Sequence, residues 1–179
     1  MPFIIDEVHT HIGFSVKHMM VSTVRGQFRQ YRGTVHIDPS DFASSTIEGE
    51  VDVASIDTGN TQRDDHLRTN DFFDAPSHPK ITFKSTRIEP KGDAEYVVHG
   101  DLTIRGVTRP VAFEVEFHGT SKNPWGKTVT GLSARGTINR RDFGVSYNAL
   151  LEAGGVAVSE KVKLEIDAEF VAAEASAAA

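Results

Sequence analysis

Between positions 161 and 170 the chain alternates without interruption. Val162, Leu164, Ile166, Ala168 and Phe170 fall on one side, and Lys161, Lys163, Glu165, Asp167 and Glu169 on the other. A period of two gives a strand one dry face and one wet face. The same pattern recurs over residues 8–18 (Val8, Thr10, Ile12, Phe14, Val16, His18) and 24–37 (Phe28, Tyr31, Val35), with Gly26 and Gly33 as expected bend or bulge positions in one long strand. It returns at Ile47, Val51 and Val53, at Ile81 and Phe83, from Tyr96 to Ile104, from Val111 to Phe117, and from Leu132 to Ile138. Sheets with one solvated face are antiparallel as a rule. Turn signals at residues 39–41, 90–93, 105–107, 123–126 and 154–155 leave connections short enough for hairpins. About eight one-faced strands must bury their apolar sides with little help from helices, and a sheet curled on itself does this. The expected fold is all-β, an eight-stranded antiparallel barrel.

One stretch breaks the pattern. Residues 63–73 hold no Gly, no Pro and no β-branched residue except Thr69, and Pro76 and Pro79 bar continuation. They predict a helix of two to three turns, begun by Thr61 with Asp64 in a capping pattern and braced by an Asp64–Arg68 pair. Leu67, Phe72 and Phe73 share its apolar side, which suits closing one end of the barrel over a cavity or over a plain core.

At 179 residues, one domain over residues 1–171 with a disordered Ala-rich tail over 172–179 is expected. The net charge of −6, with basic residues scattered among acids, argues against nucleic acid as partner. No window approaches eighteen apolar residues, so no membrane span is expected, and residues 1–14 lack the regions of a signal peptide. As it stands the sequence is expected in the cytoplasm; a trimmed N-terminus would make it periplasmic or secreted. There is no cysteine.

Four motifs, FSVKHM from Phe14, RDDHLRTNDFFD from Arg63, GDLTIRGVTRPV from Gly100 and INRRDFG from Ile138, occur in an order and spacing that resembles the YceI-like family. Thr10 and Thr69 stand where Ser is common in that family, and both keep the hydroxyl. The resemblance implies a lipocalin-like barrel with the helix at one end, a homodimer, and an apolar channel for an amphiphile such as a polyisoprenoid, an isoprenoid quinone or a fatty-acid derivative.

Burial alone suffices for such a ligand. About ten methylenes at ~0.8 kcal/mol each contribute ~8 kcal/mol, comparable to micromolar binding before association costs. The expected tail contacts are Phe14, Val16, Phe28, Val51, Phe83, Leu102, Phe113, Leu132, Ile138 and Phe170, with Leu67, Phe72 and Phe73 at the helix end and His18 at the head group. Small residues among them, Gly49, Gly100, Ala134, Gly136 and Ala168, suggest unfilled volume, although interdigitation would also explain them.

His9 and His11 would share a strand face, but no carboxylate stands at a fixed spacing to complete a metal site, and neither a metal nor a cofactor is expected. Arg63, Asp64, His66, Arg68 and Asp71, with Asp142, read as ion pairs and caps rather than as acid–base chemistry. Arg140 and Arg141 suit an anionic head group or a pair with Asp142. No nucleophile elbow, phosphate loop or dinucleotide fingerprint occurs. The expectation is therefore a lipid-binding protein that carries or stores its ligand and is not an enzyme. The rivals are an enzyme on a lipid-like substrate and a filled barrel acting as a protein-interaction module.

Overall fold

The structure, a computed structural model, describes residues 2–38, 40–148 and 157–173. Its strands are β1 (Pro2–Ile5), β2 (His11–His18), β3 (Ser22–Phe28), β4 (Tyr31–His36), β5 (Thr46–Asp52), β6 (Ile56–Asp57), β7 (Lys80–Gly92), β8 (Glu95–Ile104), β9 (Val107–Lys122), β10 (Thr128–Asn139) and β11 (Val158–Ala172). The one α-helix among the described residues, α1, is Thr61–Leu67. The expected turns at residues 39–41 and 154–155 involve positions outside the described residues, as do residues 174–179 of the expected tail. No helix among the described residues is long and apolar enough to cross a membrane.

The eleven strands make eight staves. β11 pairs through its first half with β2 and through its last residues with β1, so β1 and β2 act as one broken stave. β3 and β4 form the next, facing β2 and β1 respectively, and β5 and β6 the third. β7 to β11 follow as an antiparallel meander, and the β1 and β2 pairings with β11 close the ring. The result is the expected eight-stranded antiparallel barrel with a short helix at one end.

Local expectations needed four corrections. Val8 does not begin a strand. It lies in a 3₁₀ turn, Glu7–His9, and is 84% exposed. The long strand over 24–37 divides at Arg29–Gln30, where the chain passes from β2 to β1 as partner, and Gly26 is no bend but the seat of the Phe14 ring. The strand before residue 93 runs through Gly92, and the reversal falls at Asp93 and Ala94, the latter with φ 58°. Finally, the helix ends at Leu67 rather than Phe73: the Thr69 amide and hydroxyl both turn back to the His66 carbonyl, at 3.1 and 2.6 Å, and the remaining residues form turns.

The break between β1 and β2 is fastened to β11. The Asp6 amide donates to the Glu169 carbonyl at 2.7 Å, and the Thr10 hydroxyl accepts from the Glu169 amide at 3.1 Å. Asp6 Oδ1 caps the 3₁₀ turn by accepting from Val8, while its other oxygen meets His9 Nδ1 at 2.8 Å. From inside, the Tyr31 hydroxyl lies 3.1 Å from the Glu7 carbonyl and 2.8 Å from that of Thr10.

The barrel interior is unevenly filled. At the end away from α1, Phe42 stacks on Phe117 at 4.2 Å and meets Tyr96 edge-on at 4.6 Å, above buried Phe3, Val35 and Ile37. Further along, glycines are covered by phenylalanine rings from neighbouring strands: Phe14 over Gly26, Phe83 over Gly100 and Phe113 over Gly136. This is aromatic cover of a missing side chain. At Gly49 nothing but the Arg32 carbonyl oxygen, 3.6 Å away, would meet an added Cβ.

Two glycine positions on inward faces should therefore respond in opposite ways. A Cβ at Gly100 would sit 2.4 Å from the Phe83 ring and 2.6 Å from the Lys84 carbonyl oxygen, so Gly100→Ala is expected to cost about 1–3 kcal/mol, whereas Gly49→Ala stays within ~1 kcal/mol of the parent; urea unfolding checks both. The His9 imidazole is pulled above its ordinary value of 6.5 by the Asp6 hydrogen bond and by the charge of Glu169. Its contribution to stability is complete below the unfolded-state value and fades as pH rises through the raised folded-state value. Thermal unfolding between about pH 6 and 8 should show a fall in Tm that is reduced in His9→Gln.

Candidate functional site

From its α1 end inward, as far as Val98, Val115 and Leu132, the barrel contains a cavity of about 260 Å³ with an almost wholly apolar lining. The volume is just below the ~300 Å³ at which small-molecule pockets commonly begin. Its wall follows from strand parity: Phe14 and Val16 come from β2, Phe28 from β3, Val51 from β5, Phe83 from β7, Leu102 from β8, Phe113 from β9, Leu132 and Ile138 from β10, and Phe170 from β11. Each alternates with an outward residue, and closure brings all of them around one space. Ile5, Ile12, Ile47, Ile81, Val98, Val115, Val162, Leu164 and Ile166 complete the wall by the same rule. The two strands carrying Gly33 and Gly49 place these glycines directly opposite each other, and both border the cavity.

The α1 end is closed by side chains without strand periodicity. Leu67, Phe72 and Phe73 reach inward and meet Ile104, Phe143 and Val145. Phe73 also packs edge-on against Phe28 at 6.4 Å. Phe143 and Val145 come from a 3₁₀ turn, Arg140–Phe143, and the residues after it. No alternation pointed to them; the place of Phe143 within INRRDFG was a signal for that residue, and Val145 follows the motif. His18, expected beside the head group, is not part of the cavity lining. It pairs with Ser22 and Val158 at the base of the β2–β3 hairpin.

Polar groups around α1 are occupied in holding it. Asn60, not Thr61, caps the helix, accepting from the Arg63 amide at 2.9 Å. Buried Asp64 accepts from the Thr58 amide at 2.9 Å and from its hydroxyl at 2.6 Å, and so does not pair with Arg68. Arg68 bonds instead to Asp65 at 2.9 Å and to the carbonyls of Ala54 and Ile56 at 3.0 and 3.2 Å. Arg63 donates to Thr58, and His66 meets Asp71 at 2.8 Å. Arg105 on the β8–β9 turn donates to the Asn70 and Phe72 carbonyls, both at 2.6 Å.

Arg140 is 6% exposed and borders the cavity. It donates to four carbonyls: Val145 and Tyr147 at 2.8 Å, Ser159 at 2.9 Å and Val158 at 3.3 Å. Desolvation lowers its pKa below the ordinary guanidinium range, opposed in part by the charge of Glu160. Arg141 pairs with Glu160 at 2.9 Å, not with Asp142.

His9 lies in the 3₁₀ turn and His11 opens β2, so they do not form the two-histidine pair considered from spacing. The fold supplies different neighbours: ligand atoms of Asp6, His9 and Glu169 lie within 4.8 Å of one another and could hold a metal ion. Glu169 is 160 positions from His9, beyond any spacing rule. The trio already fastens the β1–β2 break to β11, and the short Asp6–His9 bond satisfies it without an ion.

Comparison with known proteins agrees with this architecture. A UPF0312 protein of Staphylococcus epidermidis is 45% identical over 169 residues, covering 94% of this chain and 96% of its own. The crystal structure of a Campylobacter jejuni YCEI protein superposes with a TM-score of 0.77 at 32% identity, over 94% of this chain and 96% of that one. A polyisoprenoid binding domain from Saccharophagus degradans shares the fold alone, with a TM-score of 0.70 at 14% identity over 96% and 98% of the two chains. The YceI-like domain matches residues 3–170, and this chain belongs to the YceI-like family.

Proposed function

We propose that the protein binds the apolar tail of a single amphiphile in the hollow half of its barrel, and carries or stores it. The ligand class is a polyisoprenoid, an isoprenoid quinone or a fatty-acid derivative. The observation that carries this reading is the cavity itself: about 260 Å³ lined chiefly by aliphatic and phenyl groups, in a barrel whose far end is filled by Phe42, Phe117 and Tyr96. The name of the Saccharophagus degradans domain, which shares the fold, supports the same ligand class.

Tail contacts are assigned to the strand residues Phe14, Val16, Phe28, Val51, Phe83, Leu102, Phe113, Leu132, Ile138 and Phe170, and to Leu67, Phe72 and Phe73 at the helix end, all of which border the cavity. A tail there gains ~0.8 kcal/mol per methylene removed from water. The lining holds few polar groups to fix a head group, so chain length and shape govern selection. Binding without turnover is favoured because Arg63, Asp64, Arg68 and Asp71 are engaged in bonds that hold α1 and its flanking turns. The family resemblance extends the proposal to a homodimer.

Organic extraction of the purified protein followed by mass spectrometry should recover an amphiphile. Failure to recover one, together with failure to take up quinones, isoprenoids or fatty acids, would refute the proposal. Gly49→Leu places a side chain in the cavity where a Cβ fits without backbone conflict; it is expected to fold and to lose at least ~10-fold in affinity, since the inserted side chain displaces several buried methylenes. Titration with a fluorescent fatty acid reads this, and unchanged affinity in a folded variant would place the ligand elsewhere.

A further inference from the structure

The hairpin joining β2 to β3 has a tip at odds with its geometry. Met19 and Met20 have φ of 53° and 61°, and the Val21 amide bonds the His18 carbonyl at 3.2 Å. Turns with positive φ at both central residues select Asn-Gly, Asp-Gly or Gly-Gly, because a Cβ is crowded there. Here two unbranched apolar residues occupy them. Their side chains are not compensated by packing: Met19, Met20 and Val21 are 45, 70 and 83% exposed. Left-handed backbone and exposed apolar side chains thus coincide at Met19 and Met20, with exposed Val21 beside them, and neither feature stabilises the isolated fold.

The tip stands at the hollow end of the barrel. The Met19 amide bonds the Ala157 carbonyl at 2.8 Å, and Val16 and Val158, close behind the tip on β2 and β11, line the cavity. The outer face behind it is basic. Lys163, Ser15 and Arg25 form one cross-strand row over β11, β2 and β3, and Lys161 and Lys17 lie two residues nearer the tip. All four basic residues are exposed. Lys17 donates to the Thr23 hydroxyl at 2.8 Å, and none of the four is paired with a carboxylate among the described residues. The nearby acids Glu160 and Glu165 are matched to Arg141 and Arg135. In a chain of net charge −6, an unpaired basic strip behind an apolar tip is complementary to an anionic lipid surface.

We propose that the Met19–Met20–Val21 tip inserts into anionic membranes, with Lys17, Arg25, Lys161 and Lys163 facing the lipid head groups, and that it sets the hollow end of the barrel on the bilayer with which ligand is exchanged. The last clause rests on the lipid-binding reading; the docking itself does not.

Flotation with vesicles of phosphatidylcholine and phosphatidylglycerol, against vesicles of phosphatidylcholine alone, tests the docking without reference to the cavity. The wild-type chain should float with the anionic vesicles, lose this at high salt, and remain behind with the neutral ones. Replacing the tip by Asn-Gly (Met19→Asn, Met20→Gly) should reduce flotation at least ~10-fold through lost apolar insertion, while raising Tm by at least ~2 °C because the left-handed backbone is relieved. Met20→Gln, which leaves the backbone unchanged, should weaken flotation without that rise. No flotation of the wild-type chain, equal flotation with neutral vesicles, or full flotation of the Asn-Gly variant overturns the proposal. Uptake of a soluble fatty acid by the Asn-Gly variant should match the wild type, so loss of docking and loss of ligand binding are read separately.

Discussion

Everything in this structure depends on β11 having partners along both of its edges. A sheet whose strands are dry on one face only can hide that face by curling, and curling leaves no exposed edge only if the last strand meets the first. β11 does this with two strands, β2 along its beginning and β1 along its end. The chain must therefore be broken between β1 and β2 while remaining in line. The hydrogen bonds of Asp6, Thr10 and Tyr31 hold that break against Glu169 and the turn carbonyls. The charged trio of Asp6, His9 and Glu169 is best understood as part of this seam, which is why its histidine titration enters stability.

Closure does not dictate what fills the interior. Eight staves leave room either for a packed core or for one ligand, and the choice is made locally. Where a phenylalanine ring lies over a glycine, as with Phe83 on Gly100, the space left by the missing side chain is used. Gly49 pairs directly with Phe83 across β5 and β7, but the ring covers Gly100 on the opposite neighbour, so the space beside Gly49 stays open. At the other end Phe42, Phe117 and Tyr96 fill the barrel. The same barrel is thus core at one end and container at the other.

The ionisable groups divide in the same way. Around α1 they act as fasteners: Asp64 holds Thr58, and Arg68 and Arg105 hold carbonyls of neighbouring loops. Arg140 does so in a buried setting, where its planar group donates to four backbone carbonyls. The outer face near the β2–β3 tip carries a basic row that pairs with no carboxylate among the described residues.

Alternation in the sequence was sufficient to establish an antiparallel barrel, the inward face of nearly every strand and hence ten of the wall residues, because side-chain direction in a strand is local. The apolar residues Leu67, Phe72 and Phe73 were also legible as the inner side of an end closure, although the helix stops at Leu67 and its polar pairs differ from those expected. Other features could not be read from spacing. His18 has the right parity for the wall yet ends outside it, because β2 passes the cavity before reaching that residue. The Asp6, His9 and Glu169 contact joins opposite ends of the chain, and Phe143 and Val145 come from irregular backbone. Whether a glycine leaves a hole depends on which way a neighbouring ring turns. The sequence by itself determined the faces of the strands, a property of each residue's own backbone; only the tertiary structure decided which of the enclosed volume stays empty, since that depends on rings and strands brought together by closure.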